Sequence, residues 1–297
     1  SPPLEGLGEA INKVLSQASA ERERNRVQIA LDACLQLLPD RKDEIDRLFD
    51  SEKRKVAVEN VQLILGSEIE ESIKGKMIVP EYSQKGSAKQ QIYVFVGTHW
   101  KMCLTQIYYD FIKDACRRIG LSEVYVQNQG FMNVVFENVA FRVSQHICTV
   151  QPHDGVWINL RNCTVEINSD GTVGTHQHRA EDFFLYCLQY DYNPLAECPK
   201  WHEFLDEVLP EKEAQMLLGE FVGYCFTQNL KLEKMAVFYG GGANGKSVTL
   251  DVIKNLVGRS NVSEGTLSSI TNDPETRALL QNKLVNISSE SNKNLNP

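Results

Sequence analysis

Apolar residues in the first part of the chain recur at helical spacing. Val27, Leu31, Leu35 and Leu38 follow one another at three- and four-residue steps, as do Val58, Val61, Leu65 and Ile69. That spacing lays an apolar stripe along an α-helix, and Pro39 closes the first stripe. The small and basic run from Ser83 to Lys89 predicts a loop, after which Ile92, Val94 and Val96 alternate as in a strand over 90–96. Helical spacing returns over 105–119 with Ile107, Phe111 and Ile112, and Gly120 stands where a C-cap glycine belongs. From Val124 to Val150 the chain is apolar with no decidable period.

Further on, Val156, Trp157 and Ile158, then Thr164 to Ile167, carry β-type alternation around polar turns, including Ser169, Asp170 and Gly171. These predict a short hairpin pair. Helical pattern is expected from Arg179 through Gln189, with breaks at Asn193-Pro194 and Cys198-Pro199. Trp201, Phe204, Leu205 and Val208 form the next stripe, ended by Pro210, and another helix is expected from about Glu211 to Thr227.

The elements predict an α/β chain with an α+β accessory region. A helical N-terminal part occupies 1–85, a small mixed α/β domain ending in helices occupies 86–230, and the first strand, glycine loop and helix of a P-loop NTPase fold occupy 231–297. The chain opens Ser1-Pro2-Pro3 and stops at Pro297, soon after the glycine loop, so the nucleotide-binding fold is expected to be cut short.

Composition narrows this picture only in part. The 297 residues are 42% hydrophobic, enough to bury a core in each of two domains. The net charge of -8, from 31 basic and 39 acidic residues, means that contact with nucleic acid must use local basic patches. The eight cysteines include no C-x-x-C pair and read as reduced core residues. With no membrane span and no secretory signal in the pattern, a cytoplasmic location is expected.

The chemistry concentrates at one motif. The apolar run Met235 to Tyr239 is strand-like in composition and leads into Gly240, Gly241, Gly242, Ala243, Asn244, Gly245, Lys246 and Ser247, which satisfy G-x-x-x-x-G-K-[ST]. Val248, Val252, Ile253, Leu256 and Val257 then mark one helical face, ended by Gly258. Glycines let backbone N–H groups of such a loop, with Val248 next in line, wrap phosphates at a helix N-terminus. Lys246 would reach the β- and γ-phosphates of ATP, and the Ser247 hydroxyl would bind Mg²⁺. A P-loop enzyme also needs an acid at the end of a neighbouring strand. Glu290, after the apolar positions Leu284, Val285 and Ile287, is the candidate for catalysis and metal binding. A solvated loop carboxylate is its bland alternative, and Asp273 and Glu275 are competitors. A helix is expected to start at Asp273-Pro274.

The glycine-asparagine form of this loop resembles superfamily 3 helicases, in particular the phage, plasmid and poxvirus primase-helicase group. Ile158 to Ile167 resembles that group's segment before the ATPase, with Cys163 where glycine would stand. Asp191 to Trp201, Phe204-Leu205 and Leu218 to Tyr224 are similar in order and spacing to its helical lead-in, and Tyr93 to Trp100 to an earlier landmark. The resemblance covers about residues 90–297. It implies a replicative motor, usually a hexameric ring, that uses ATP to translocate on single-stranded or forked DNA, with a primase domain or subunit as a possible partner. It also implies an arginine from a neighbouring subunit at the site, and a sensor asparagine and DNA-binding hairpin beyond Pro297.

Other residues carry weaker signals. His176 and His178 could share one face of a strand as metal ligands, although no third ligand stands out and a solvated loop fits better. Arg22, Arg24 and Arg26, and Lys53, Arg54 and Lys55, lie among acids and read as solvated helix faces with local ion pairs. Trp100, Trp157 and Trp201 could stack on bases, but core burial is the more usual fate of tryptophan. Two further readings stay open: a non-catalytic scaffold in which residues 1–230 assemble oligomers or recruit a primase, and a P-loop ATPase with other work, such as a regulatory switch.

Overall fold

The computed structural model describes residues 25–51, 53–78, 91–145, 155–227, 233–241 and 244–288. The chain forms two compact units, one built from 1–151 with 179–184, the other from 152–178 with 185–297.

The first unit begins with helix α1 over 25–35, followed by α2 (Lys42–Ser51) and α3 (Arg54–Ile73). The stripe expected on α3 is present at Val61, Leu65 and Ile69, with Ala57 in place of Val58 at its start. Ala57, Val61, Leu65, Ile69 and Ile73 are buried at strict four-residue steps, while Val58 is only half-buried. Three antiparallel strands follow in the order β1 (Met77–Ile78), β2 (Ile92–Phe95) and β3 (Trp100–Cys103), with Met77 opposite Val94 and Phe95 opposite Trp100. Helix α4 (Thr105–Ile119) ends at Gly120 with φ 111°, as its position predicts. A short α5 (Glu123–Val126) leads to α6 (Gln129–Gln145), a helix packed against α3 that takes up most of the stretch of undecided period, whose last residues, 146–150, lie outside the described residues. One core joins these elements: Leu31, Ile45, Leu65, Phe111, Ile112 and Met132 are each exposed by 1% or less. The edge expected near residue 85 therefore falls inside a single unit, because β1 pairs with β2 and α3 packs on α6 across it.

The helix expected over 179–189 does not form. A single 3₁₀ turn over Ala180–Asp182 ends at Phe183, whose φ of 52° breaks any helix. The backbone is taken up by tertiary partners: the Phe184 carbonyl accepts from Trp100 N–H (2.7 Å), and Leu188 N–H donates to the Asn159 carbonyl (2.9 Å).

The second unit opens with an antiparallel meander, β4 (Val156–Asn159), β5 (Thr164–Ile167) and β6 (Val173–His176), as the alternation predicts. Its last turn is set by Asp170, whose carboxylate accepts from the Thr172 N–H (2.9 Å) and hydroxyl (2.7 Å). Helices α7 (Pro199–Val208), with proline in its first turn, and α8 (Lys212–Tyr224) match the expected pair. After the glycine loop comes α9 (Lys246–Val257), ended by Gly258. Strand β7 (Val262–Ser263) then pairs in parallel with β8 (Val285–Asn286), and the crossover contains α10 (Leu267–Asn272) and α11 (Pro274–Ala278). The Asp273 carboxylate caps α11 by accepting from Glu275 and Thr276 N–H, as the Asp-Pro pair predicts.

Two expectations for this unit are corrected. Met235 to Tyr239 is not a strand: among the described residues none forms a ladder with it, and Met235, Val237 and Tyr239 are 68%, 76% and 98% exposed. Apolar composition makes a strand only when a neighbour takes its backbone N–H and C=O groups. The apolar face expected on α9 also divides, since Thr249, Ile253 and Val257 are buried whereas Val248, Val252 and Leu256 face solvent.

Candidate phosphate-binding loop

Lys246 is the first residue of α9, and Gly245 is its N-cap at φ 76°, a left-handed conformation that glycine adopts without strain. The Gly245 carbonyl accepts from Thr249 twice, from its N–H at 2.9 Å and its hydroxyl at 3.1 Å, so the loop is stapled to the first turn of the helix. Lys246 folds back over the loop, where its ammonium donates to the carbonyls of Gly240 (2.9 Å) and Gly241 (2.8 Å) and to Asn244 Oδ1. Asn244 packs against Gly240, where a Cβ would stand 2.1 Å from its Nδ2, so a side chain there would have to displace Asn244. Ser247 and Val248, next along the helix, are exposed.

The arrangement can hold an anion. The Lys246 ammonium lies over the loop at the N-terminus of a helix of 12 residues, the end whose unpaired N–H groups carry partial positive charge. Beside the loop, an apolar cavity of 560 Å³ is bounded by α7, α8 and the 234–239 run, with Leu205, Phe221 and Val237 on its walls and Asn244, Lys246 and Thr249 at one side.

The structure thus brings together Gly240, Gly241, Asn244, Gly245, Lys246 and Ser247. Gly242, Ala243 and Glu290 lie outside the described residues. Of the competing acids, Asp273 caps α11, and Glu275 is exposed in its first turn. Sequence reasoning did not single out Thr249, or the contact of Phe204 and Val208 with Gly245. The four-residue spacing of Phe204 and Val208 on α7, and of Thr249 and Ile253 on α9, was the available signal.

The remaining sequence candidates resolve as follows. His176 Nδ1 pairs with the Glu166 carboxylate, and His178 Nε2 lies 2.8 Å from the Leu160 carbonyl. Among the described residues no group of three or more His, Cys, Asp or Glu could hold a metal ion. Lys53, Arg54 and Lys55 are exposed, Arg26 is half-buried, and Arg22 and Arg24 lie outside the described residues. Trp100 is buried, its indole N–H donating to the Ala180 carbonyl (2.7 Å), while Trp157 and Trp201 are half-buried. Five of the described cysteines are buried, Cys163 is half-buried, Cys198 is exposed and Cys148 lies outside the described residues. Among the described residues no helix is long and apolar enough to cross a membrane.

Two of the segments that carry the helicase resemblance, 158–167 and 191–201, are tied together in space. Arg161, in the turn between β4 and β5, makes a bidentate pair with Asp191 (2.8 and 2.7 Å), and Asn162 accepts from Tyr192 N–H (2.8 Å). Both Arg161 and Asp191 are largely exposed, so the pair fixes geometry more than it adds stability. Residues 75–210 match the family model "D5 N terminal like", the N-terminal domain of D5 primase-helicase-like proteins, consistent with the phage and viral primase-helicase family. The match begins just before β1 and ends after α7, ahead of the glycine loop. No curated protein matches the chain.

Proposed function

We propose that this chain is part of a primase-helicase-like replication protein whose loop Gly240 to Ser247 binds Mg²⁺ and ATP. One observation carries the reading: a segment that matches the N-terminal domain of D5-like primase-helicases leads, through α8, into a glycine loop whose lysine stands at the first position of a helix. The residues fit the ligand, since the glycine loop offers a lysine ammonium at the first position of a helix.

In this reading Lys246 leaves its loop carbonyls to neutralise the β- and γ-phosphates, and the Ser247 hydroxyl, with Glu290, holds the metal. Glu290 also polarises the attacking water. Bound Mg²⁺ supplies charge neutralisation across the phosphates. Hydrolysis then drives translocation along single-stranded or forked DNA by a hexameric ring, with a primase domain or subunit as partner; these last elements rest on the helicase resemblance.

Calorimetric titration of Mg-ATP into the chain and into Lys246→Ala tests the reading. Heat with the wild type and its loss in the variant is expected. A wild type that binds no nucleotide would sink the proposal and favour a scaffold that assembles or recruits through residues 1–230. The exposure of Leu195, Met216 and Leu217 is the observation on that side; size measurement of 1–230 would show whether it self-associates.

A further inference from the structure

The lead-in helix α7 touches the glycine loop at Gly245, the left-handed residue before Lys246. A Cβ built at Gly245 would lie 2.8 Å from Val208 Cγ1 and 2.9 Å from Phe204 Cζ, so these two side chains fill the space where a side chain at 245 would stand. The Gly245 carbonyl is held by Thr249, itself buried. Phe204 is backed in turn by Trp201, whose ring stacks on it at 5.5 Å with 24° between planes. Leu205, between Phe204 and Val208 in sequence, is 6% exposed and anchors the helix.

We infer that α7 is a positioning element of the phosphate site: Phe204 and Val208 hold Gly245 in its left-handed conformation and so set the direction in which Lys246 and the first N–H groups of α9 point. The inference rests on the phosphate-binding reading and adds that the site is completed by a helix upstream of the glycine motif. Tight packing transmits small displacements, so relief of this contact loosens the loop without removing any phosphate ligand. Trp201 becomes a reporter, because a change in the loop on ligand binding reaches its ring through Phe204.

The test compares Mg-ATP binding by calorimetry in the full chain, Phe204→Ala, Phe204→Leu and Val208→Ala, with thermal unfolding followed in parallel. Phe204→Ala is expected to weaken binding by about tenfold, and Phe204→Leu, which restores bulk against Gly245, to recover most of it. In the unsubstituted chain, saturating Mg-ATP should change tryptophan emission, and Trp201→Phe should abolish the change. That second measurement does not depend on Phe204→Ala folding. Unaltered affinity in Phe204→Ala, or emission that ignores the ligand while calorimetry reports binding, overturns the inference and leaves the phosphate-binding reading standing. No binding by the wild type overturns both.

Discussion

Lys246 donates to three oxygens of its own loop, so an arriving phosphate replaces bonds already made and does not meet a bare charge. Most of this site was legible residue by residue, because G-x-x-x-x-G-K-[ST] fixes which positions need glycine and which needs a cation. The cysteines show where single-residue reading stops. All were expected in the core, yet Cys198 immediately precedes the proline that starts α7 and is exposed. Burial pushes the Cys103 and Cys116 thiols up to about 12, so both stay protonated and unreactive near neutral pH. A disulfide reagent at about pH 8 should therefore modify Cys198 in the folded chain, with Cys198→Ser removing one thiol from the fast phase, while Cys103 and Cys116 react only after denaturant is added. Equal rates for all thiols would contradict the burial pattern. This difference is not written in local pattern, since exposure of a thiol depends on which helix face meets the core.

At the scale of elements, period was the reliable guide wherever a helix had a core to face. Helix α3 carries leucines at 63 and 65, and only their positions against the four-residue stripe separate them: Leu65 is 0% exposed and Leu63 56%. Leu65→Ala is expected to cost about 2–5 kcal/mol through transfer and cavity terms, and Leu63→Ala within about 0.5 kcal/mol, both read from denaturant unfolding. Comparable losses would mean that α3 is misplaced. Where an element's identity depended on partners distant in sequence, local pattern could not decide it. The 180–189 segment reads as helical, but Trp100 and Asn159 take its backbone groups. Met235 to Tyr239 has strand composition without a described partner strand, a condition that no window of sequence reports.

The whole molecule is divided by contacts and not by sequence order. The first unit is completed by residues 179–184, which lie downstream of the β4–β6 meander. They provide acceptors for the Trp100 backbone and indole N–H groups and a ring, Phe183, at 5.8 Å from the indole. A fragment of residues 1–151, in which Trp100 is the only tryptophan, should show red-shifted emission and lower stability by about 2–4 kcal/mol than a 1–184 fragment carrying Trp157→Phe. Identical emission would show that the six-residue return is dispensable. No gap or linker in the sequence advertises this return, because the polar turns before it resemble those of any meander. It also gives synthesis a schedule: on the ribosome, chain already emerged through residue 151 must wait with an open seam at Trp100 until residue 184 is clear of the exit tunnel, so the N-terminal core is sealed only after the meander has been made.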